Sequence, residues 1–236
     1  PFRCLNGLGR LVKKDSPDEV ELTNPKPRST TMVNIAFKDG KMGGRILSNE
    51  TGLNAFDFRE TIRSSGSPKE YFEKMRDKST EIQFIDYSFS NLDSLHLPVQ
   101  KTYTVNLADE SDADAEMLYI SPVLVNRITK NPFTAPTRKF PVDFGETINE
   151  TYQMNLVIPE GYAVEELPKS AAFSLQDKAG SFIYRIEQSD NNIMCSLRLS
   201  LNKTIFVPTE YPILQEFYNM IVAKESEQIV LKKISQ

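Results

Sequence analysis

The stretch Asn192–Ile205, NIMCSLRLSLNKTI, decides the fold. Ile193, Cys195, Leu197, Leu199 and Leu201 alternate with Met194, Ser196, Arg198, Ser200 and Asn202. A period of two held over that length predicts a long strand with one buried and one wet face. Shorter strands lie on either side, near Phe140–Phe144, Thr151–Ile158, Tyr162–Leu167, Ala171–Leu175 and Ser181–Gln188, with a last one at Gln228–Lys232. Pro159-Glu160-Gly161-Tyr162 and Lys178-Ala179-Gly180 supply turns between them. One helix interrupts the series at about 209–223. Thr209 can cap it, and Ile213, Leu214, Phe217, Tyr218 and Ile221 form its apolar stripe. Short strands at regular spacing predict an antiparallel β-sandwich over 131–236.

Toward the N-terminus the periodicity changes. Leu8, Leu11, Val12, Val20 and Leu22 suggest one or two short strands before Pro25 and Pro27. A strand follows over Thr31–Phe37 with Val33, Ile35 and Phe37 on one face, and Asp39-Gly40 fits a type I′ hairpin turn. Gly43-Gly44 marks a bulge or a close backbone contact in the return strand. Two helices are expected at about 53–64 and 68–78. The first buries Ala55, Phe58 and Ile62. The second starts at the capping box Ser67-Pro68-Lys69-Glu70 and turns Tyr71, Phe72 and Met75 inward. Strands resume over Glu81–Phe89, Val99–Leu107 and Met117–Val125. The expectation is a mainly β chain with some α: an α+β module over 1–130, then the sandwich, with Asn131-Pro132-Phe133 through Pro136 at the boundary.

Composition narrows the function. The 236 residues carry 39% hydrophobic and 25% charged side chains, enough for packed cores. A net charge of −4 with scattered basic residues disfavours nucleic acid. No run of about 18 apolar residues spans a membrane. The chain opens Pro1-Phe2-Arg3-Cys4, which reads as a piece whose targeting signal, if any, lies upstream. With one His and two Cys there is no zinc set, and no metal or other cofactor is expected.

The sharpest catalytic combination is Cys4 as nucleophile, His96 as base and Asp109 as orienting group, in papain-like chain order. Cys4 precedes Leu5-Asn6-Gly7-Leu8-Gly9, a turn rather than the helix N-terminus that lowers a thiol's pKa. His96 sits between Leu95 and Leu97 just before Pro98, a loop or strand-end position. Cys195 falls on a core face. No nucleophile–base pair is therefore assigned, and the chain reads as non-enzymatic. Asp109, Glu110, Asp112, Asp114 and Glu116 offer oxygen ligands but lack the Gly of an EF-hand, so a solvated loop is the plainer reading. A cation on Asp112, Asp114 and Glu116 stays open, as does the pairing of Cys4 and Cys195. Asn49-Glu50-Thr51, Asn149-Glu150-Thr151 and Asn202-Lys203-Thr204 match the glycosylation sequon, a pattern that also recurs by chance.

A family resemblance adds what periodicity lacks. Its motifs are Arg3-Cys4-Leu5-Asn6-Gly7 with Gly9, Asn131-Pro132-Phe133, Arg138-Lys139-Phe140-Pro141-Val142-Asp143-Phe144, Pro159-Glu160-Gly161-Tyr162, Glu165-Glu166-Leu167-Pro168-Lys169, and Glu210-Tyr211-Pro212 running to Phe217-Tyr218. In this order they resemble the C-terminal region of bacterial cell-envelope proteins whose central domain is transglutaminase-like, with a papain-type fold. The likeness covers almost the whole chain and is densest over Asn131–Leu231. In that family the Cys-His-Asp site lies upstream of this region, so no catalytic residue carries over to it. The resemblance implies a periplasmic or envelope-associated accessory module that packs against or positions the upstream domain. The alternative is a binding module for an envelope protein or glycan.

Overall fold

The computed structural model describes residues 7–14, 16–22, 27–38, 41–77, 82–107 and 115–234. Cys4, the Asp39-Gly40 turn and the acidic residues Asp109 to Asp114 lie outside the described residues. The first half comprises β1 (Gly7–Leu11), β2 (Asp18–Leu22), β3 (Ser29–Lys38), β4 (Lys41–Glu50), α1 (Gly52–Ser65), α2 (Pro68–Arg76), β5 (Ile82–Ser90), β6 (Val99–Leu107) and β7 (Met117–Ile120). Then come β8 (Val142–Asp143), β9 (Ile148–Val157), β10 (Tyr162–Glu166), β11 (Ala171–Ser174), β12 (Gly180–Ser189), β13 (Asn192–Leu201), β14 (Ile205–Phe206), α3 (Tyr211–Glu225) and β15 (Ile229–Lys233).

The predicted long strand, β13, lies inside an eight-stranded sheet of order β11-β12-β13-β9-β3-β4-β6-β5. Its buried residues are Ile193, Cys195, Leu197, Leu199 and Leu201, as the alternation requires. The strand stops at Leu201 rather than Ile205. The amides of Asn202 and Lys203 both turn to the carbonyl of Ala179, at 2.8 and 3.3 Å, and so leave the ladder. Ser200, expected on the wet face, is buried where the chain makes this turn.

The sheet is mixed, and its strands come from both sides of residue 131. Every neighbouring pair is antiparallel except β3 with β9, which run parallel with Ser29–Ile35 opposite Glu150–Leu156. The β-rich α+β class matches the expectation. Smaller sheets complete it: β10-β15-β7, β14-β8 and the hairpin β1-β2. One hydrophobic cluster joins the inner face of the large sheet to Leu118 and Ile120 of β7, Ile229 and Leu231 of β15, and Leu214, Phe217 and Ile221 of α3. The hairpin β1-β2 contrasts with this, leaving Leu8 69% and Val12 87% exposed.

Local chemistry explains several boundaries. A Cβ on Gly44 would lie 1.8 Å from the Asn34 carbonyl oxygen, so the glycine pair marks a close backbone approach. The ladders on both sides of it keep their register. β7 ends four residues in, before Ser121-Pro122, because proline offers no amide to a ladder. Ser67 Oγ accepts the Glu70 amide at 3.1 Å, the expected cap of α2. Thr209 does not cap α3. A single 3-10 turn, Pro208–Glu210, leads into that helix, and the Glu210 carboxylate accepts from Val207 N at 2.9 Å and pairs with Lys203. Ile213 is half-exposed, off the stripe formed by Tyr211, Leu214, Phe217, Tyr218 and Ile221.

α1 has no acidic residue in its own first turn. Glu146, distant in sequence, supplies one, accepting the Leu53 amide at 3.4 Å. Gly52 has φ of +63°, and a Cβ there would sit 2.9 Å from Pro27 Cβ. The same helix carries Arg59, 6% exposed. Its guanidinium donates to the carbonyls of Leu92 at 3.1 Å and of Asn91, Ser94 and Leu97 at 2.9 Å each. The loop 91–98 is thus folded around one buried cation.

Two outcomes test this packing. Leu199→Ala should cost about 2–5 kcal/mol and Arg198→Ala no more than about 0.5 kcal/mol, read from urea midpoints. Equal shifts would mean that the faces of β13 are misassigned. Arg59→Met keeps the aliphatic stem but takes a donor from four carbonyls, of which Ser94 O retains the Leu97 amide, and should cost about 2–4 kcal/mol. The Leu97 amide, bonded to Ser94 O at 3.0 Å, should lose exchange protection with it. Retained protection would contradict the organising role of Arg59.

Candidate functional site

His96 is the one member of the Cys4–His96–Asp109 set among the described residues, and it is exposed in the 91–98 loop. Glu116 is exposed just before β7. Asn49 and Asn149 stand on β4 and β9, and Asn202 follows β13, its amide nitrogen donating to Lys178 O at 2.8 Å. Cys195 is buried and unpaired. Burial pushes its thiol up to about 11, with the Tyr184 hydroxyl pulling the other way. A thiol held so far above neutrality is a poor nucleophile.

The inner face of the large sheet changes character along its strands. One cross-strand row is Ile193, Leu156 and Ile35. Two rows on, the hydroxyls of Thr31 and Ser48 meet at 3.0 Å, both buried. The next row sets Glu150, Ser29 and Glu50 side by side on β9, β3 and β4. Glu50 pairs with Lys101, whose ammonium lies 4.9 Å from the centre of the Phe58 ring. Burial first, and Glu50 second, hold the Glu150 carboxyl above the usual carboxylate range.

Glu225 reaches the same end of the core from α3. Its carboxylate accepts the Ile128 amide at 2.6 Å, and the Tyr152 hydroxyl accepts the Leu124 amide at 3.1 Å. Burial pushes Glu225 up to about 7. The Ile128 bond and Arg127 oppose that shift, and Glu150 adds to it. The space between these groups is about 30 Å³. That admits about one water and no substrate. These carboxyls are in the wrong place for turnover and the right place to hold a segment of chain. Sequence reasoning missed them because their partners lie on distant strands. The available signal was that Ser29, Thr31 and Glu150 share the parity of apolar neighbours.

The opposite face of the sheet is open. A shallow depression of about 420 Å³ runs across β12, β13, β9 and β3, lined in part by Met32, Asn34, Gln153, Asn155, Arg185 and Met194. Met32 is 45% and Met194 43% exposed, with Leu47 beside Met32 across the ladder. Arg45, Arg185 and Arg198 project from this face, and none of them makes an ion pair or hydrogen bond among the described residues. Lys38 and Lys41 extend the positive charge at one end, against Glu187 and Asp86. At about 4.8 Å per strand, Arg185 on β12 and Arg45 on β4 stand roughly 19 Å apart. The positions on this face carry amides, hydroxyls, arginines and methionines but, among the described residues, no aromatic ring.

No curated protein gives a significant match to the chain. Among solved structures it is similar to a “putative protease” from Parabacteroides distasonis, at 17% identity and a TM-score of 0.42. That similarity covers 51% of this chain and 24% of the other, so the chain spans about a quarter of that protein. Residues 116–231, from the start of β7 into β15, match the DUF3858 family, a domain of unknown function with a solved structure.

Proposed function

We propose that the chain is a non-catalytic accessory module that binds a protein partner through the open face of its large sheet. The observation that carries this reading is the combination on that face of half-exposed Met32 and Met194 with three arginines that have no ion pair or hydrogen bond among the described residues. Methionines adapt to irregular apolar surfaces, and arginine forks pair with carboxylates without much loss of order. The exposed leucines and valines of the β1-β2 hairpin support the same conclusion, because an isolated two-stranded hairpin is marginal by itself. The partner that the family resemblance favours is a transglutaminase-like domain of the same polypeptide, in the bacterial periplasm or cell envelope. A glycan-binding role has the amide-rich face in its favour. Against it, the described residues place no aromatic ring on that face for a sugar to stack on.

Hydroxyl-radical footprinting tests the assignment. In the chain alone, Met32 and Met194 should oxidise readily. In the polypeptide that includes the transglutaminase-like domain, both should be protected, and the double change Arg45→Glu with Arg185→Glu should restore their oxidation. Equal oxidation in the two contexts would reject the docking face. The purified chain should neither cleave peptides nor transfer amines. Turnover that vanishes on His96→Ala would restore an enzymatic reading.

A further inference from the structure

The segment 121–128 crosses the polar end of the core as a strap. It begins where Pro122 ends β7, and Arg127 Nη1 donates back to Ser121 Oγ at 2.8 Å while Ser121 Oγ donates to Val123 O at 3.1 Å. Asn126 adopts φ of +59°, a conformation that non-glycine residues seldom take. Two side chains hold the strap down: Tyr152 at the Leu124 amide and Glu225 at the Ile128 amide. Val123, within the strap, is buried.

Glu225 is 4% exposed. The titratable and charged groups around it come from every adjoining element. They are Glu150 and Tyr152 on β9, Cys195 on β13 and Arg127 on the strap, while Glu50 with its partner Lys101, on β4 and β6, and Tyr218 on α3 adjoin Glu150. Carboxyls thus converge from three elements, while Lys101 is already committed to Glu50. Closing the strap over Glu225 and Glu150 takes both out of water in a space with room for about one molecule of it. An ionised carboxylate enclosed beside another carboxylate pays both desolvation and repulsion.

We propose that the strap is a pH-sensitive clasp, closed while Glu225 carries a proton and progressively released as that proton is lost. Below about pH 4.5 Glu225 is neutral whether the strap is open or closed, and closure does not depend on pH. Between about 4.5 and 7 the open form ionises while the closed form resists, the buried carboxyl having been pushed up to about 7. Closure therefore weakens as pH rises through that window and levels off above it. The clasp does not depend on the docking face lying on the other side of the sheet.

Amide hydrogen exchange on the whole chain, corrected for the intrinsic pH dependence of exchange, tests the clasp. Protection of Leu124 and Ile128 should fall about tenfold or more between pH 5 and pH 8. Strand amides such as that of Val33 should change little. Glu225→Gln should abolish the fall, and Glu150→Gln, which removes one facing carboxyl, should reduce it. Flat protection in the unmodified chain, or an undiminished fall in Glu225→Gln, would overturn the proposal. Should Glu225→Gln fail to fold, the side-chain carboxyl carbon of Glu225 can be followed by NMR in the unmodified chain. Titration near 7 in step with loss of Ile128 protection would support the clasp, and titration near 4.5 would refute it.

Discussion

Seven residues of β3, Ser29–Ile35, run parallel to Glu150–Leu156 of β9, and the rest of the structure hangs on that pairing. In the large sheet it is the seam at which strands from the first half of the chain meet those of the second. Without it there would be one sheet of β3, β4, β6 and β5 with its helices, and another of β9, β13, β12 and β11. With it, both faces of the large sheet become continuous. The inner one gathers one large hydrophobic cluster from both halves, beside a smaller one of Ala55, Phe58, Ile62 and Val99, and the outer one spans eight strands. Antiparallel sheets tolerate one solvated face, so an uncovered outer surface costs the fold little.

The seam also places the polar row. Because β9, β3 and β4 are neighbours, Glu150, Ser29 and Glu50 fall into one line, and a carboxyl from each half meets across it, as neither half would arrange alone. Lys101 answers Glu50, and the strap amide answers Glu225. A buried charge such as Glu50, or a buried polar group such as the Glu225 carboxyl, left without a partner would be destabilising, so these contacts are a condition of closing this end of the core. On the other side of β3 a tight approach is secured by Gly44, which lets β4 lie against the Asn34 carbonyl.

Much of this was legible in the residues. The alternation of Ile193 through Leu201 gave the buried face of β13, and Ala55, Phe58 and Ile62 gave that of α1, because side-chain periodicity reports burial directly. Strand direction was not legible: a period of two is the same in parallel and antiparallel neighbours, so β3 beside β9 left no local trace. Ile205 shares the parity of Ile193 to Leu201 and so reads as part of the long strand, whereas the Ala179 carbonyl that diverts Asn202 and Lys203 is distant in sequence. Arg59 shares the inward stripe of α1 with Ala55, four residues earlier. That position was a readable sign of a buried cation, although the carbonyls that satisfy it could only be seen in the fold. The outer face was readable as polar. The clustering of its arginines around Met32 and Met194 was not, because it depends on the order of strands.

The most direct measurement of the central claim, that the β3–β9 seam makes one cooperative structure of both halves, is urea unfolding followed by methyl NMR at Ile46 on β4 and Leu199 on β13. A shared core predicts coincident transitions, with the same midpoint and the same dependence on denaturant at both sites. Separate midpoints, with one methyl group retaining its folded signal while the other has lost it, would contradict the account.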